Sequence, residues 1–282
     1  MDLYNIRIYY YETGTQYRVY SRPVARLSED EKEKRKQYIE LHGKPERKPK
    51  LHTAEELTEV PFAERPVFLR TFEEAEAEAE RSLQVSLNRT KQNLIGICRA
   101  NQWDYFITFT FNPRLVDSKN YEEVCIKAGQ YMNNLRKRHC PDMKYVLVPE
   151  LHKDGEKYHL HGLMANCDGL QLRVSGKVKN GRVIYNIPSW KYGWNTATEV
   201  THSGKVANYI SKYITKDVNG LLHGKRRFWC SQNTIHAKDV CDELFIPDYM
   251  SVIRHLSENN AINFIKKTHI TQCSRDIWYI ET

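Results

Sequence analysis

The segment Pro149-Glu150-Leu151-His152-Lys153-Asp154-Gly155-Glu156-Lys157-Tyr158-His159-Leu160-His161 leaves the chain less conformational choice than any other stretch. Two strand-forming runs, Lys144 to Leu151 and Lys157 to Met164, flank a tight turn and read as a β-hairpin. With Asp154-Gly155 as the two-residue loop, Lys153 pairs with Glu156, and counting outward sets Glu150 opposite His159. His159 and His161 share a face because strand side chains alternate. Directly opposed residues also share a face, so Glu150, His159 and His161 converge on one patch. Two neutral imidazoles and a carboxylate suit a divalent ion that must also hold a substrate oxygen. His152 falls on the same face nearer the turn, as a reserve ligand. The alternative is that His-x-His is a chance pair on a solvated strand. Pro149 signals an edge or a bulge that would shift the count.

The neighbouring segments read as parts of the same sheet. Phe106-Ile107-Thr108-Phe109-Thr110-Phe111-Asn112 alternates strictly, with Ile107, Phe109 and Phe111 on one face and Phe106, Thr108, Thr110 and Asn112 on the other; Pro113 ends it. Tyr121 to His139 is a basic amphipathic helix. Leu170 to Val178 and Arg182 to Ile187 form a hairpin about Asn180-Gly181, and Arg227 to Ser231 is a last strand. Upstream, Asn5 to Tyr11 and Gln16 to Val24 form a hairpin, and residues 28–66 read as a charged helix and linker. Thr71 caps a helix that runs to about Arg99, with Leu83, Leu87, Leu94, Ile95 and Cys98 as its buried stripe. A helix near Tyr249 to Leu256 and a short strand complete the reading. The expected organisation is a hairpin and linker over 1–70, a catalytic domain over 71–235 and an extension over 236–282.

A helix over Gly204 to Lys216 carries a second constellation. At about 100° per residue, Val206, Ile210 and Ile214 make its buried stripe. Tyr209 and Tyr213 lie one turn apart at the edge, with Lys205, Lys212 and Lys216 just beyond on the polar side. A phenol is a weak nucleophile at its ordinary pKa of about 10. Neighbouring ammonium groups favour the phenolate and neutralise a phosphodiester, which attack on DNA requires. The alternative is a plain amphipathic helix with its tyrosines packed at the core edge. Tyr213 lies nearer the stripe, and Tyr209 is better placed to reach a phosphate.

Composition narrows the class of partner. A net charge of +8, a pI near 9.0 and 18 tyrosines fit a nucleic-acid binder, with rings for bases and cations for phosphates. The 7 cysteines never form C-x-x-C, which argues against a disulfide framework or a cysteine-built zinc site. No run approaches the roughly 20 apolar residues of a membrane span, and Met1-Asp2-Leu3-Tyr4 lacks a signal-peptide layout. A cytoplasmic protein without a membrane partner is expected.

Taken together, Phe106 to Pro113, Glu150 with His159-Leu160-His161, and Tyr209-Ile-Ser-Lys212 with Tyr213-Ile-Thr-Lys216 resemble, in order and spacing, the HUH rolling-circle replication initiators. The tandem tyrosines look most like initiators of small phages and mobile elements, and the resemblance covers roughly residues 80–235. It implies an α+β fold, a central antiparallel sheet flanked by helices of the HUH endonuclease or RRM-like type. It also implies a Mg²⁺ or Mn²⁺ site and a covalent 5′-phosphotyrosine. No P-loop motif occurs in the sequence, so no fused helicase is expected within it.

The mechanism this implies is nicking of single-stranded origin DNA. Glu150, His159 and His161 hold the metal, and Tyr209 or Tyr213 attacks, leaving a 3′-OH for a host polymerase working with a host helicase. Tyr209 is expected to initiate, with Tyr213 a second nucleophile or helper and Lys212 and Lys216 assisting. Thr108, Thr110, Asn112, Lys205 and Asn208 would contact the strand. Lys225-Arg226-Arg227 beside Phe228 and Trp229 would track a DNA backbone, or form only a solvated basic turn. Trp190, Tyr192 and Trp194 are expected to pack against the sheet rather than stack bases. One rival is an HUH relaxase or single-strand transposase. Another, from a different class, is a non-catalytic, metal-stabilised DNA-binding repressor, which binds without a covalent product.

Overall fold

The structure, a computed structural model, describes residues 2–43, 72–152, 155–201, 203–216, 225–259, 261–270 and 273–282, except for the side chains of 72–75, 203, 204 and 214–216. In chain order the elements begin with β1 (Asp2–Tyr11), β2 (Gly14–Arg26), α1 (Glu29–His42), α2 (Phe72–Arg99), β3 (Tyr105–Thr110) and α3 (Tyr121–Arg138). They continue with β4 (Lys144–Leu151), β5 (Tyr158–Ala165), β6 (Arg173–Lys179), β7 (Arg182–Asn186), β8 (Asn195–Glu199) and α4 (Ser203–Lys216). The last are β9 (Trp229–Cys230), β10 (Cys241–Leu244), α5 (Tyr249–Glu258), β11 (Phe264–Ile270) and β12 (Arg275–Glu281). The class is α+β, built on two antiparallel sheets, as the sequence led us to expect.

The chain divides into two compact units. The first comprises Met1–Ile8, Gln16–Ser86 and Asp242–Thr282. Its strands belong to a sheet of order β10-β1-β2-β12-β11. β12 runs antiparallel to β2, with Ile277 opposite Tyr20 and Ile280 opposite Tyr17. Ile6, Val19, Ile253 and Ile280 are buried together, with Tyr249, Val252 and Leu256 of α5 packed against them. The segments 1–70 and 236–282, set apart in the sequence reading, thus share one sheet. In α1 the Ser28 hydroxyl accepts from the Glu31 amide while the Glu31 carboxylate accepts from the Ser28 amide, a capping box. Nothing in α1 is buried, as its charged composition leads one to expect. Thr71 and Lys44 to Lys50 lie outside the described residues.

The second unit comprises Tyr9–Thr15 and Leu87–Cys241. Its seven-stranded sheet has the order β6-β7-β8-β3-β5-β4-β9. On one face Ile107, Phe109, Leu160 and Met164 meet Val124, Ala128, Met132 and Leu135 of α3, all buried. α3 begins with Asn120, whose side chain accepts from the amides of Glu122 and Glu123. The other face carries α4, which lies against β4 and β5. In α2, Leu87, Leu94, Ile97 and Cys98 are buried, and Leu83 and Ile95 are half-buried. The strand expected over Arg227 to Ser231 shrinks to Trp229–Cys230. β8, which no sequence signal marked, fills the place beside β3. Asn-Thr-Ala-Thr-Glu has no aliphatic run; it pairs because β3 offers it an open edge.

Candidate active site

The hairpin of β4 and β5 pairs Glu150 with His159 and Leu151 with Tyr158, the register that counting from the Asp154-Gly155 turn requires. Lys153 and Asp154 lie outside the described residues; on either side of them the His152 amide donates to the Lys157 carbonyl, 2.7 Å. Pro149 causes no slip, for it pairs with Leu160 in unbroken register. On its other side β4 is paired to β9 only at Val146 and Leu147, so the missing proline N–H falls beyond that ladder.

The residue after His161 has to be small. A Cβ on Gly162 would sit 2.6 Å from the Val146 carbonyl oxygen and 2.6 Å from Leu147 Cδ2. Glycine therefore lets β4 and β5 close up where the second histidine must be aimed, a need that an isolated glycine inside a strand pattern signals.

Glu150 Oε2 lies 2.9 Å from His159 Nε2 and 2.7 Å from His161 Nε2. The three potential ligand atoms all lie within 4.8 Å of one another. His152 stacks edge-on against His159, with ring centroids 5.7 Å apart, and is not part of this cluster. Burial, followed by repulsion from His161, holds His159 below the ordinary imidazole pKa of 6.5, although Glu150 pulls the other way. A neutral imidazole is the form that binds a metal.

Thr108 faces His161 across the β3–β5 ladder, and its Oγ1 lies 3.1 Å from His161 Nδ1. A hydroxyl both donates and accepts. It can therefore donate to Nδ1 while Nε2–H points at Glu150, and accept from Nδ1–H when Nε2 gives its lone pair to a cation. Histidine ligands are commonly oriented by such a partner on the second nitrogen. The donor set, the converging geometry and the oriented ring fit a divalent cation held by Glu150, His159 and His161.

α4 sets both tyrosines over this face. Tyr213 is 7% exposed and its ring lies flat on His161, centroids 3.9 Å apart and planes 9° apart. Burial raises the Tyr213 pKa well above 10, as do a hydrogen bond to Tyr209 and the nearby Glu150 carboxylate. Tyr209 is 48% exposed, with its ring edge-on to Tyr213 at 5.6 Å and to Phe106 at 5.4 Å. Lys212 Nζ stands 5.9 Å from the centre of the Tyr209 ring. The buried face of α4 differs from the expected Val206, Ile210, Ile214 stripe. Ala207, Ile210, Ser211 and Tyr213 are buried and Val206 only half so. Small Ala207 and Ser211, one turn apart, let the helix approach the sheet closely enough for Tyr213 to cover His161. The side chains of Ile214 and Lys216 lie outside those described.

The remaining candidates are spread around this centre. Thr110 faces His159 across β3 and β5. The Asn112 carboxamide oxygen accepts from the Arg114 amide at 3.0 Å and so closes the turn that ends β3. Lys205 and Asn208 are exposed on α4. The Lys225-Arg226-Arg227 segment is docked on α3: the Tyr121 hydroxyl donates to the Arg226 carbonyl, and Lys225 Nζ lies 4.9 Å from the Tyr121 ring centre. Trp190 packs as expected, stacked on Phe109 at 4.1 Å, and Tyr192 packs on Trp190. Trp194 does not pack; it is exposed. The features the sequence reading missed are the Thr108 to His161 contact and the need for Gly162.

Among the described residues, no helix is long and apolar enough to cross a membrane. Neither a curated protein nor a solved structure matches the chain. Residues 104–218, the stretch that holds Thr108, Glu150, His159, His161, Tyr209 and Tyr213, match the family described as Replication-associated protein ORF2, and the chain therefore carries a domain of this replication-associated family.

Proposed function

We propose that the protein initiates rolling-circle replication by nicking single-stranded origin DNA in the manner of HUH endonucleases, with Tyr209 as the initiating nucleophile. One observation carries the reading. Within the family-matched segment, a carboxylate and two imidazoles converge under a pair of phenols, one buried on the second imidazole and one open to solvent. A divalent ion bound by Glu150, His159 and His161, Mg²⁺ or Mn²⁺ from the oxygen and imidazole donors, would polarise the scissile phosphate.

The chain's own groups supply the rest. Tyr209, exposed and beside Lys212, gives up its phenol proton to solvent, and its oxygen bonds to phosphorus. The bond from phosphorus to the 3′ oxygen breaks, and that oxygen takes a proton to leave a 3′-OH. A host polymerase extends this end while a host helicase opens the duplex. Tyr213 keeps its proton and holds His161 flat beneath it, so it serves as a helper during the first cut. Reversal, with a new 3′-OH attacking the phosphotyrosine, religates the strand. Lys205, Asn208 and Lys212 are exposed on the strip of α4 that the phosphates would follow.

The test is incubation with Mn²⁺ and single-stranded oligonucleotides tiled across the replicon that encodes the chain, followed by a denaturing gel. A covalent protein–DNA adduct together with a free 3′-OH product is expected. Binding without any adduct would leave a DNA-binding repressor instead.

A further inference from the structure

We propose that Trp194 is a stacking platform for a base of the single strand flanking the phosphate at the Glu150, His159 and His161 cluster, an inference that rests on the nicking function just given. Trp194 is 71% exposed, whereas Trp190, four residues earlier, is 3% exposed in the core. It does not sit on a loose loop tip. The Thr110 amide donates to the Trp194 carbonyl at 2.8 Å, and the Asn112 amide donates to the Tyr192 carbonyl at 2.8 Å. Between them Gly193 lies against β3 so closely that a Cβ there would sit 2.2 Å from the Thr110 carbonyl oxygen. The backbone carrying the exposed ring is clamped to the central strand of the sheet.

These bonds extend the β3–β8 register, in which Phe109 faces Asn195, by one step. Trp194 therefore stands opposite Thr110, Thr110 opposite His159, and His159 opposite Glu150. Side chains in such a row share a face. Asn195 turns to the α3 side, where its carboxamide oxygen accepts from the Ile187 amide at 2.5 Å and its nitrogen donates to the Ile187 carbonyl at 3.1 Å. By alternation Trp194 takes the opposite face, the one that carries the Glu-His-His cluster. Two strand spacings of about 4.8 Å put its backbone roughly 10 Å from that of His159. A rigid exposed indole at that distance, in line with a site built for a phosphodiester, fits a nucleobase of the bound strand. Stacking on it needs no particular base, because every base has a π-face.

The experiment measures binding of a short fluorescein-labelled oligothymidylate by anisotropy, in chelator to prevent cleavage, with intrinsic tryptophan emission followed in parallel. Wild-type protein should bind and lose emission, and Trp194→Phe should lack most of that emission change while keeping most of the affinity. Trp194→Ala should bind roughly five- to a hundredfold more weakly, the range seen when one stacked aromatic is removed. Circular dichroism of both variants should match wild type, since the ring contributes little buried surface. Equal affinity of Trp194→Ala and wild type, or emission quenching that survives in Trp194→Phe, would overturn the platform while leaving single-strand binding intact. Failure of the wild-type protein to bind the oligonucleotide at all would overturn both the platform and the nicking function.

Discussion

At the residue scale, the two tyrosines share a Tyr-x-x-Lys frame, yet the fold gives them opposite environments. Tyr213 is covered by the cluster it overlies and keeps its proton, whereas Tyr209 reaches solvent beside Lys212. Tyr209→Phe should abolish the covalent adduct, and Tyr213→Phe should retain it. Peptide mapping that finds the phosphotyrosine only at Tyr213 reverses the assignment. Thr108 touches a proposed ligand rather than standing free for the DNA. Thr108→Val should weaken Mn²⁺ binding about 10- to 100-fold, the usual cost of removing an outer partner from a ligating histidine. Thr108→Ser should restore it; equal affinity of the valine variant by calorimetry would show the contact to be incidental. The depressed His159 also carries a sign. In metal-free protein the unfolded chain takes up this proton near pH 6.5 and the folded chain only at lower pH. Between these values the unfolded state binds more protons, so this contribution to stability is present above about pH 6.5 and declines as the pH falls below it. An NMR titration of the His159 ring in metal-free protein should give a midpoint below 6.5, and a midpoint above it would contradict the burial argument.

The element that decides the site is the β4–β5 hairpin, because a slip of one residue would send Glu150 or both histidines to the α3 face. Two devices hold the register. One is the tight turn; the other is Gly162, whose missing side chain lets the strands close against Val146 and Leu147. Gly162→Ala should cost about 1–3 kcal/mol through overpacking and loosen the aim of His161. Chemical denaturation reads the first effect and Mn²⁺ affinity the second. A variant of unchanged stability and affinity would mean that the sheet absorbs a methyl group there without moving. The strict alternation of Phe106 to Asn112, the Asn-Gly hairpin of β6 and β7 and the capped, amphipathic α3 were all legible, because local chemistry and tertiary packing ask the same of those residues. β8 and the length of β9 were not, since short polar strands are decided by the neighbour that offers them hydrogen bonds.

On the scale of the whole molecule, the net charge of +8 predicts that affinity for single-stranded DNA falls steeply with salt. Each phosphate neutralised should add roughly −0.7 to the slope of log K against log salt. Replacing Lys205 and Lys212 with alanine should flatten that slope without changing the fold, as read by titrations at several salt concentrations. A slope unaffected by the two changes would move the DNA off α4. The sheet of the first unit raises a separate point of assembly. β2 finds its partner β12 only after more than two hundred intervening residues, a long-range pairing that no local pattern announces.

By itself the sequence determined the hairpin register that brings Glu150 opposite His159, the face shared by His159 and His161, and the spacing of Tyr209 and Tyr213 along one side of a helix. Each follows from a local period or a turn, and local geometry is set by neighbouring residues. Only the tertiary structure decided which phenol is covered, that the Thr108 hydroxyl meets the His161 ring, that Trp194 stays exposed while Trp190 is buried, and that the two ends of the chain share a sheet. Those outcomes depend on which element packs where, and packing joins residues whose separation along the chain carries no periodic signal.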